Sequence, residues 1–194
     1  MGVLGLNFLV LFAAVNTGNL APPSVDDVKQ WHDLLPAGVG VTFAGVVNGL
    51  LSANNKARLV FWRWSNPLPG NFAFSRYAQQ DPRIDVVALR EIVPAWPSNA
   101  NDENRLWYRL YKSVENEPAI TDAHRHFLLT RDYTAIAFIL LTTAGPLGAW
   151  LIATPITAIA YVALLLLQYL LAREAAKNYG IRLVTSVLAL KGSR

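Results

Sequence analysis

The chain contains a run of forty residues, Tyr133 to Ala172, without a single Asp, Glu, Lys, Arg or His side chain. One helix crosses the hydrocarbon layer of a bilayer with about 20 residues, so this run is long enough for two crossings and a short turn. Thr154-Pro155 marks the turn, because a hydroxyl residue followed by proline is typical of a helix N-terminus. The sequence therefore predicts a transmembrane hairpin over residues 133–172.

Two more stretches lack ionisable side chains, Leu34 to Asn55 and Met1 to Val25. The first is followed by the basic residues Lys56 and Arg58, as is common where a helix leaves a membrane. The second lacks the basic start of a secretory signal peptide, which favours a retained segment, with an interfacial or re-entrant helix as the alternative. The expected fold class is all-α, a multi-pass helical membrane protein with three to four crossings and a small, mostly helical cytoplasmic insertion.

Charge is low and unevenly distributed along the chain. Hydrophobic residues make up 53% and charged residues 15%, whereas a soluble domain has about 25% charged residues. Lys and Arg dominate the tail, and Asp26, Asp27 and Asp33 make the loop before Leu34 acidic. Because cytoplasmic flanks are rich in Lys and Arg, we expect an inner-membrane protein with its insertion and C-terminus in the cytoplasm. The chain has no cysteine, which excludes disulfides and thiolate metal sites.

These features divide the chain into four parts. Residues 1–55 form N-terminal membrane helices with a short acidic external loop, 56–132 the cytoplasmic insertion, 133–172 the transmembrane hairpin, and 173–194 a basic amphipathic tail. The apolar residues of the tail are expected to lie on the anionic inner leaflet. In the insertion, Asp81-Pro82 and Asn101-Asp102 predict helix starts, and a last helix from Pro118 should continue into the hairpin.

The predicted second crossing carries a packing pattern of small residues, Gly40, Ala44, Gly45 and Gly49, with the polar Asn48 among them. Such residues allow close approach of helices, either within the chain or between copies in a homo-oligomer around a pore. Gly145-Pro146 lies inside the third predicted crossing, where proline removes a backbone hydrogen bond and predicts a hinge.

A segment of alternating basic and aromatic residues follows the second crossing: Arg58, Trp62, Arg63 and Trp64. This composition suits the headgroup layer of a membrane, and membrane lipid is the partner we expect for it. The competing interpretation is a surface on which bases stack, which leaves a nucleotide or oligonucleotide ligand open.

The sequence contains one candidate cluster for catalysis or metal binding, formed by Glu115, Glu117, His124 and His126. Histidines two apart on a helix point to different faces, so the pattern does not indicate a metal site. The sequence has no nucleophile motif and no phosphate-binding glycine loop. We therefore expect no enzyme activity, no cofactor and no metal.

Three segments resemble small multi-pass bacterial membrane effectors of anti-phage defence systems: KARLVFWRWSNPLPG from Lys56, DPRID from Asp81, and LWYRLYKSVENEP from Leu106. The resemblance implies an oligomeric membrane protein that opens or disrupts the inner membrane, together with a cytosolic sensor or enzyme partner. It offers no catalytic residues, and within these segments and between them the candidate ligand or partner residues are Arg63, Arg76, Arg83, Arg105 and Arg109.

Two functions are expected from the sequence. The first is an oligomeric inner-membrane channel or pore-forming effector that is gated by its cytoplasmic insertion. The alternative is a non-conducting membrane anchor or sensor that recruits a cytosolic partner. An enzyme embedded in the membrane ranks below both, because it depends on the histidine cluster alone.

Overall fold

A computed structural model describes residues 2–18, 20, 45–46, 49–93 and 95–193. Over these residues the chain is all-helical, with no strand. Its main helices are α1 (Gly2–Thr17), α2 (Ala53–Phe61), α3 (Val86–Ile92), α4 (Ala100–Lys112), α5 (Pro118–Leu151) and α6 (Pro155–Gly192). Three short helical turns, Pro69–Phe72, Ala73–Tyr77 and Ala78–Gln80, follow one another between α2 and α3. The all-α prediction is confirmed for the described residues.

Two helices among the described residues, α5 and α6, are long and apolar enough to cross a membrane. They contain 34 and 38 residues, whereas α1 has 16 and falls short of the length that a crossing usually needs. Most of the predicted second crossing, Leu34 to Asn55, lies outside the described residues. The structure thus supports the predicted hairpin, whereas the predicted first and second crossings, in residues 1–55, stay predictions.

The two hairpin helices both begin at a proline, as predicted. Helix α5 begins at Pro118 and α6 begins at Pro155. Helix α5 also continues through Pro146, which leaves the carbonyl of Thr142 without its usual donor. The hydroxyls of Thr142 and Thr143 donate hydrogen bonds to backbone carbonyls of the preceding turn. Thr142 donates to Phe138 (3.0 Å) and Thr143 to Ile139 (2.7 Å). These hydroxyls are therefore satisfied within their own helix.

Two helices between residues 80 and 112 have N-terminal capping residues that differ from the ones predicted. The Asp85 side chain accepts hydrogen bonds from the backbone N–H groups of Val87 and Ala88, so α3 begins four residues after Pro82. The Asn99 side chain caps α4 in the same way, two residues before the predicted Asn101. Asp81 does not cap α3 because its carboxylate binds Arg83 instead.

The chain divides into two compact units, and α5 and α6 contribute residues to both. The first unit comprises residues 1–52 and 135–171. In it, Ala14 of α1 packs with Tyr161 and Leu165 of α6. Gly18 ends α1 with a φ of +67°, a conformation that glycine adopts without strain. Its carbonyl accepts a hydrogen bond from the Thr157 hydroxyl at 2.7 Å, which ties the end of α1 to the start of α6.

Large apolar side chains cover the outside of the first unit. Trp150 and Ile156 are each 80% exposed, and Ile159 is 71% exposed. Among the described residues, 28% and 33% of the most apolar windows of α5 and α6 are buried, whereas a core helix of a soluble protein is mostly buried. Exposed apolar surface of this extent is typical of contact with lipid or with another protein.

The second unit comprises residues 53–134 and 172–194 and has its own core. Its centre consists of fully buried apolar side chains from several elements: Val60, Phe74, Leu89, Ile120, Val184, Val187 and Leu188. Gly180 permits close packing at one edge, because a Cβ there would lie 2.9 Å from the rings of both Phe61 and Phe127.

The C-terminal residues take part in this core. Residues 173–192 are the last part of α6, and Leu183, Val184, Val187 and Leu188 are buried among side chains of residues 57–127. The sequence predicted this apolar stripe on the inner leaflet. Helical periodicity shows that a stripe must be covered, but it does not distinguish a lipid cover from a protein cover. Here the cover is protein.

Shortening Leu188 to Ala should test this packing. The side chain is fully buried, so we expect the free energy of unfolding of the second unit to fall by about 2–5 kcal/mol. Val87→Ala is a matched control, because Val87 is 72% exposed and its loss should change stability by less than about 0.5 kcal/mol. Denaturant unfolding of the detergent-solubilised protein measures both, and equal effects would place the stripe outside the core.

Candidate functional site

The basic and aromatic residues predicted as a membrane anchor lie at and just after the end of α2. Trp64 is the most exposed of them, at 85%. Arg58 donates one hydrogen bond to the backbone carbonyl of Trp64 (3.1 Å) and another to the Asn55 side chain (2.8 Å). Trp62 and Asn66 both have a positive φ, of 52° and 50°, so the chain turns sharply on either side of Trp64.

The other two predicted anchor residues contribute to packing in the second unit. The guanidinium of Arg63 lies 4.0 Å from the centre of the Phe72 ring. The Trp62 ring is stacked by Arg173, whose guanidinium carbon lies 3.6 Å from the ring centre. Cation–π contacts of this kind stabilise by about 0.5–2 kcal/mol. They hold this segment against residues from elsewhere in the unit.

The arginines predicted as ligand or partner residues have separate surroundings. Arg83 donates two hydrogen bonds to Asp81, at 2.9 and 2.6 Å, and a third to the Thr185 hydroxyl at 3.2 Å. Hydrogen bonds from Arg83 hold the pKa of the Asp81 carboxyl well below its usual range. Arg105 lies 3.8 Å from Asp102. The remaining candidates, Arg76 and Arg109, are exposed.

A partly buried ionic cluster joins α2 to α5 inside the second unit. Lys56 is 7% exposed, and its ammonium lies 3.1 Å from Oδ1 of Asp132. The same oxygen accepts hydrogen bonds from Arg131, at 2.9 and 3.0 Å. Asp132 comes directly before the charge-free run that begins at Tyr133. The cluster therefore binds α2 to the last charged position of α5 before its apolar part.

A polar cleft of about 500 Å³ opens on the second unit between the end of α2, the turn at Pro69–Phe72 and the start of α4. Its polar lining contains five asparagines, Arg58 and Trp64. The asparagines are Asn54, Asn66, Asn71, Asn101 and Asn104. Among the described residues that line it, none has an acidic side chain. Sequence reasoning missed this cleft because its walls are about thirty residues apart along the chain.

Asn71 forms the buried part of the cleft and is only 4% exposed. Its side-chain N–H donates to the carbonyl of Ala100 at 2.9 Å, whereas its side-chain oxygen has no hydrogen-bond partner among the described residues. Glu103 fastens the same two walls nearby, because its carboxylate accepts from the backbone N–H groups of Phe74 (2.8 Å) and Ser75 (3.0 Å). The walls are thus held in place by groups other than the free oxygen.

The histidines of the predicted chemical cluster bind neighbouring side chains. The Tyr111 hydroxyl lies 2.9 Å from Nδ1 of His124, and burial lowers the pKa of His124. His126 stacks on the Tyr179 ring and lies 3.3 Å from Asp122. Within the described part of the chain, no three His, Asp or Glu side chains gather closely enough to form a metal-binding group.

The small residues of the predicted pore helix are only partly described. Gly40, Ala44 and Asn48 lie outside the described residues. A Cβ added at Gly45 or Gly49 would meet no described atom within 4 Å. In the predicted hinge, a Cβ at Gly145 would make an ordinary contact with Leu165 at 3.9 Å.

Comparisons with protein-family models, with curated proteins and with solved structures found no match to this chain.

Asp132→Asn tests the ionic cluster. The substitution removes the negative charge that faces Lys56 and Arg131, so we expect the second unit to lose about 1–3 kcal/mol of its free energy of unfolding. Glu174→Gln is the control, since the Glu174–Lys177 pair is more exposed and its loss should cost less than about 1 kcal/mol. Chemical unfolding of both variants measures the difference, and similar costs would contradict a stabilising cluster.

His124 predicts a pH dependence of stability. Because burial lowers its folded-state pKa, the unfolded state binds more protons just below pH 6.5, and stability should fall as the pH is lowered through that value. His124→Gln keeps an acceptor for Tyr111 and removes this titration, so the variant should lose less stability than the wild type between about pH 7 and pH 5. Thermal unfolding at the two pH values measures this loss. His126→Gln controls for removing a histidine, and equal losses in the wild type and His124→Gln would refute the prediction.

Proposed function

We propose that the chain is an oligomeric inner-membrane channel or pore-forming effector whose cytoplasmic part, the second unit, controls opening. Consistent with the resemblance of its central segments, we further propose that it acts in anti-phage defence with a cytosolic sensor or enzyme partner. The observation that carries the proposal is that the two helices apolar enough to cross a membrane, α5 and α6, also build the core of the second unit.

Because α5 and α6 also belong to the core of the second unit, a change in that core can move the apolar parts of both helices. Ile120, Ala123 and Phe127 of α5 are buried in the same core as Val184 and Leu188 of α6. Protein cores are close-packed, so a ligand or partner that rearranges this core must displace one helix or the other. Because each helix continues into its apolar part without a break, the displacement acts directly on the membrane segments.

Oligomer formation is supported by two glycines that contact nothing within 4 Å among the described residues. Gly45 and Gly49 face open space among the described residues, although their spacing is typical of close helix contacts. A second copy of the same helix would fit against them. An oligomer is also needed for conduction, because the few helices of one small chain rarely enclose an aqueous path.

The non-conducting anchor or sensor remains the second candidate, and the polar groups of the hairpin favour it. Residues 133–172 contain no Asp, Glu, Lys, Arg or His side chain. The hydroxyls of Thr142, Thr143 and Thr157 all donate to backbone carbonyls within the unit, so their hydrogens are not available to an anion. A conducting path along residues 133–172 of α5 and α6 would therefore contain no charged side chain.

Flux and size measurements on one purified sample separate the two functions. We expect a closed homo-oligomer in detergent by light scattering and ion flux after reconstitution into liposomes. Gly45→Leu and Gly49→Leu should dissociate the oligomer and reduce flux at least about tenfold, because leucine blocks close helix approach. Val46→Leu is the matched control on the same helix and should leave both unchanged.

A monomer or dimer that does not conduct would contradict the channel and favour the anchor. An oligomer that survives both glycine substitutions would overturn the interface at these residues while leaving conduction to be judged by the flux itself.

A further inference from the structure

Helix α2 lies antiparallel to the neighbouring part of α5. Near the start of α2, the ammonium of Lys56 is 3.1 Å from Asp132. At its end, the ring centre of Phe61 lies 6.5 Å from that of Phe127. The residue number rises along α2 while it falls along α5, so the two helices run in opposite directions. The start of α2 is therefore beside Asp132, the last charged residue before the charge-free run.

The chain just after α2 is held to the other end of the same run. Arg173 is the first charged residue after Ala172, and its guanidinium carbon lies 3.6 Å from the centre of the Trp62 ring. The residues that flank the charge-free run thus both contact one short segment, residues 56–62. With the run across a membrane, as proposed above, this segment lies at the headgroup layer, which is about 5–8 Å thick on each side of the hydrocarbon.

The polar cleft begins at the same level. Asn54 and Arg58 line it, and each is two residues from Lys56, about 3 Å along the axis of a helix. Trp64 also lines the cleft, and its carbonyl is tied to Arg58 by a hydrogen bond of 3.1 Å. Trp64 is 85% exposed, and tryptophan is enriched at the headgroup level of membranes. A lipid headgroup is therefore within reach of these lining residues.

Arg58 gives the cleft a binding group for an anion. It is the one cation among the described lining residues, and none of those residues is acidic. A guanidinium has five N–H groups, and two of them donate to the Trp64 carbonyl and to the Asn55 side chain. The other three are left for a phosphate, which arginine binds through several N–H groups at once. An ammonium headgroup would find no carboxylate among the described lining residues.

The other polar lining groups suit a headgroup that carries hydroxyls. An amide both donates and accepts hydrogen bonds, as a hydroxyl does, so a diol can pair with asparagine side chains in either direction. The cleft offers Ser65 and the asparagines at positions 54, 66, 101 and 104. Its volume of about 500 Å³ lies within the range of small-molecule pockets, about 300–1,000 Å³.

We propose, resting on the membrane crossing proposed above, that this cleft binds the headgroup of an anionic, hydroxyl-bearing phospholipid such as phosphatidylglycerol. The phosphate accepts hydrogen bonds from Arg58, and the glycerol hydroxyls pair with the asparagine amides. The ring of Trp64 lies beside the lipid at the headgroup level. A lipid bound in this way ties α2 and the walls of the cleft to the surface of the bilayer.

Native mass spectrometry of the full chain in detergent, titrated with single lipids, tests the proposal. We expect phosphatidylglycerol to bind about tenfold more tightly than phosphatidylethanolamine, whose ammonium has no anionic partner in the cleft. Phosphatidylethanol has the same single negative charge as phosphatidylglycerol but lacks headgroup hydroxyls. It should bind about fivefold more weakly than phosphatidylglycerol, since the asparagine amides then lose their partners.

Two variants change the charge of the cleft. Arg58→Gln removes the phosphate-binding cation, and Asn101→Asp adds an anion at a position in the first turn of α4, where acidic residues favour a helix. Each should lower the affinity for phosphatidylglycerol about tenfold. Arg109→Gln and Asn116→Asp make the same charge changes at exposed positions outside the cleft. These two controls should leave the affinity within about twofold, because exposed charges are screened.

Equal binding of phosphatidylglycerol and phosphatidylethanolamine would overturn the proposal, as would variants in the cleft that weaken binding no more than their controls. Equal binding of phosphatidylglycerol and phosphatidylethanol would overturn the pairing of hydroxyls with asparagines. Displacement of phosphatidylglycerol by glycerol 3-phosphate would assign the cleft to a soluble phosphate ester instead of a lipid. Lipid binding in detergent requires no conduction, so a failure here is distinct from a failure of the channel, which flux decides.

Discussion

Burial of the C-terminal part of α6 is the interaction on which the second unit depends. The segment before the hairpin, residues 53–134, consists mostly of short helices and turns joined by loops, none of which could bury an apolar face alone. Val184, Val187 and Leu188 give these pieces a common surface, and α5 adds Ile120 and Phe127. The core of the unit thus contains residues from both ends of the apolar hairpin.

The first unit follows a different constraint. Its two long helices contain no Asp, Glu, Lys, Arg or His between residues 133 and 172, and they expose Trp150, Ile156 and Ile159. In a bilayer the backbone must satisfy its own hydrogen bonds, and continuous helices do so without help from water. The same apolar helices then enter a core that is closed by ionic and polar contacts, among them the Lys56–Asp132 pair. The surroundings of each helix therefore change along its length, from exposed apolar positions to a protein core.

The sequence predicted those helix starts that are set by a residue at the start itself. The starts of α5 at Pro118 and α6 at Pro155 were predicted because proline can occupy the first turn of a helix but rarely its interior. The caps of α3 and α4 were misplaced, since several Asp and Asn residues compete there and only the fold shows that Asp81 binds Arg83. The cleft was not predicted at all, because Asn71 and Asn104 meet only after α4 packs on the turn at Pro69–Phe72. Long-range packing of this kind leaves no periodic signal.

Side-specific labelling of single cysteines tests the central claim, that α5 and α6 form a transmembrane hairpin returning to one extramembrane unit. The natural chain has no cysteine, so Ser113→Cys, Thr154→Cys and Ser193→Cys give clean reporters at exposed positions. In sealed membrane vesicles a membrane-impermeant maleimide should label positions 113 and 193 from the same side and position 154 only from the opposite side. Labelling of all three positions from one side would show that the hairpin does not cross the membrane and would contradict the account.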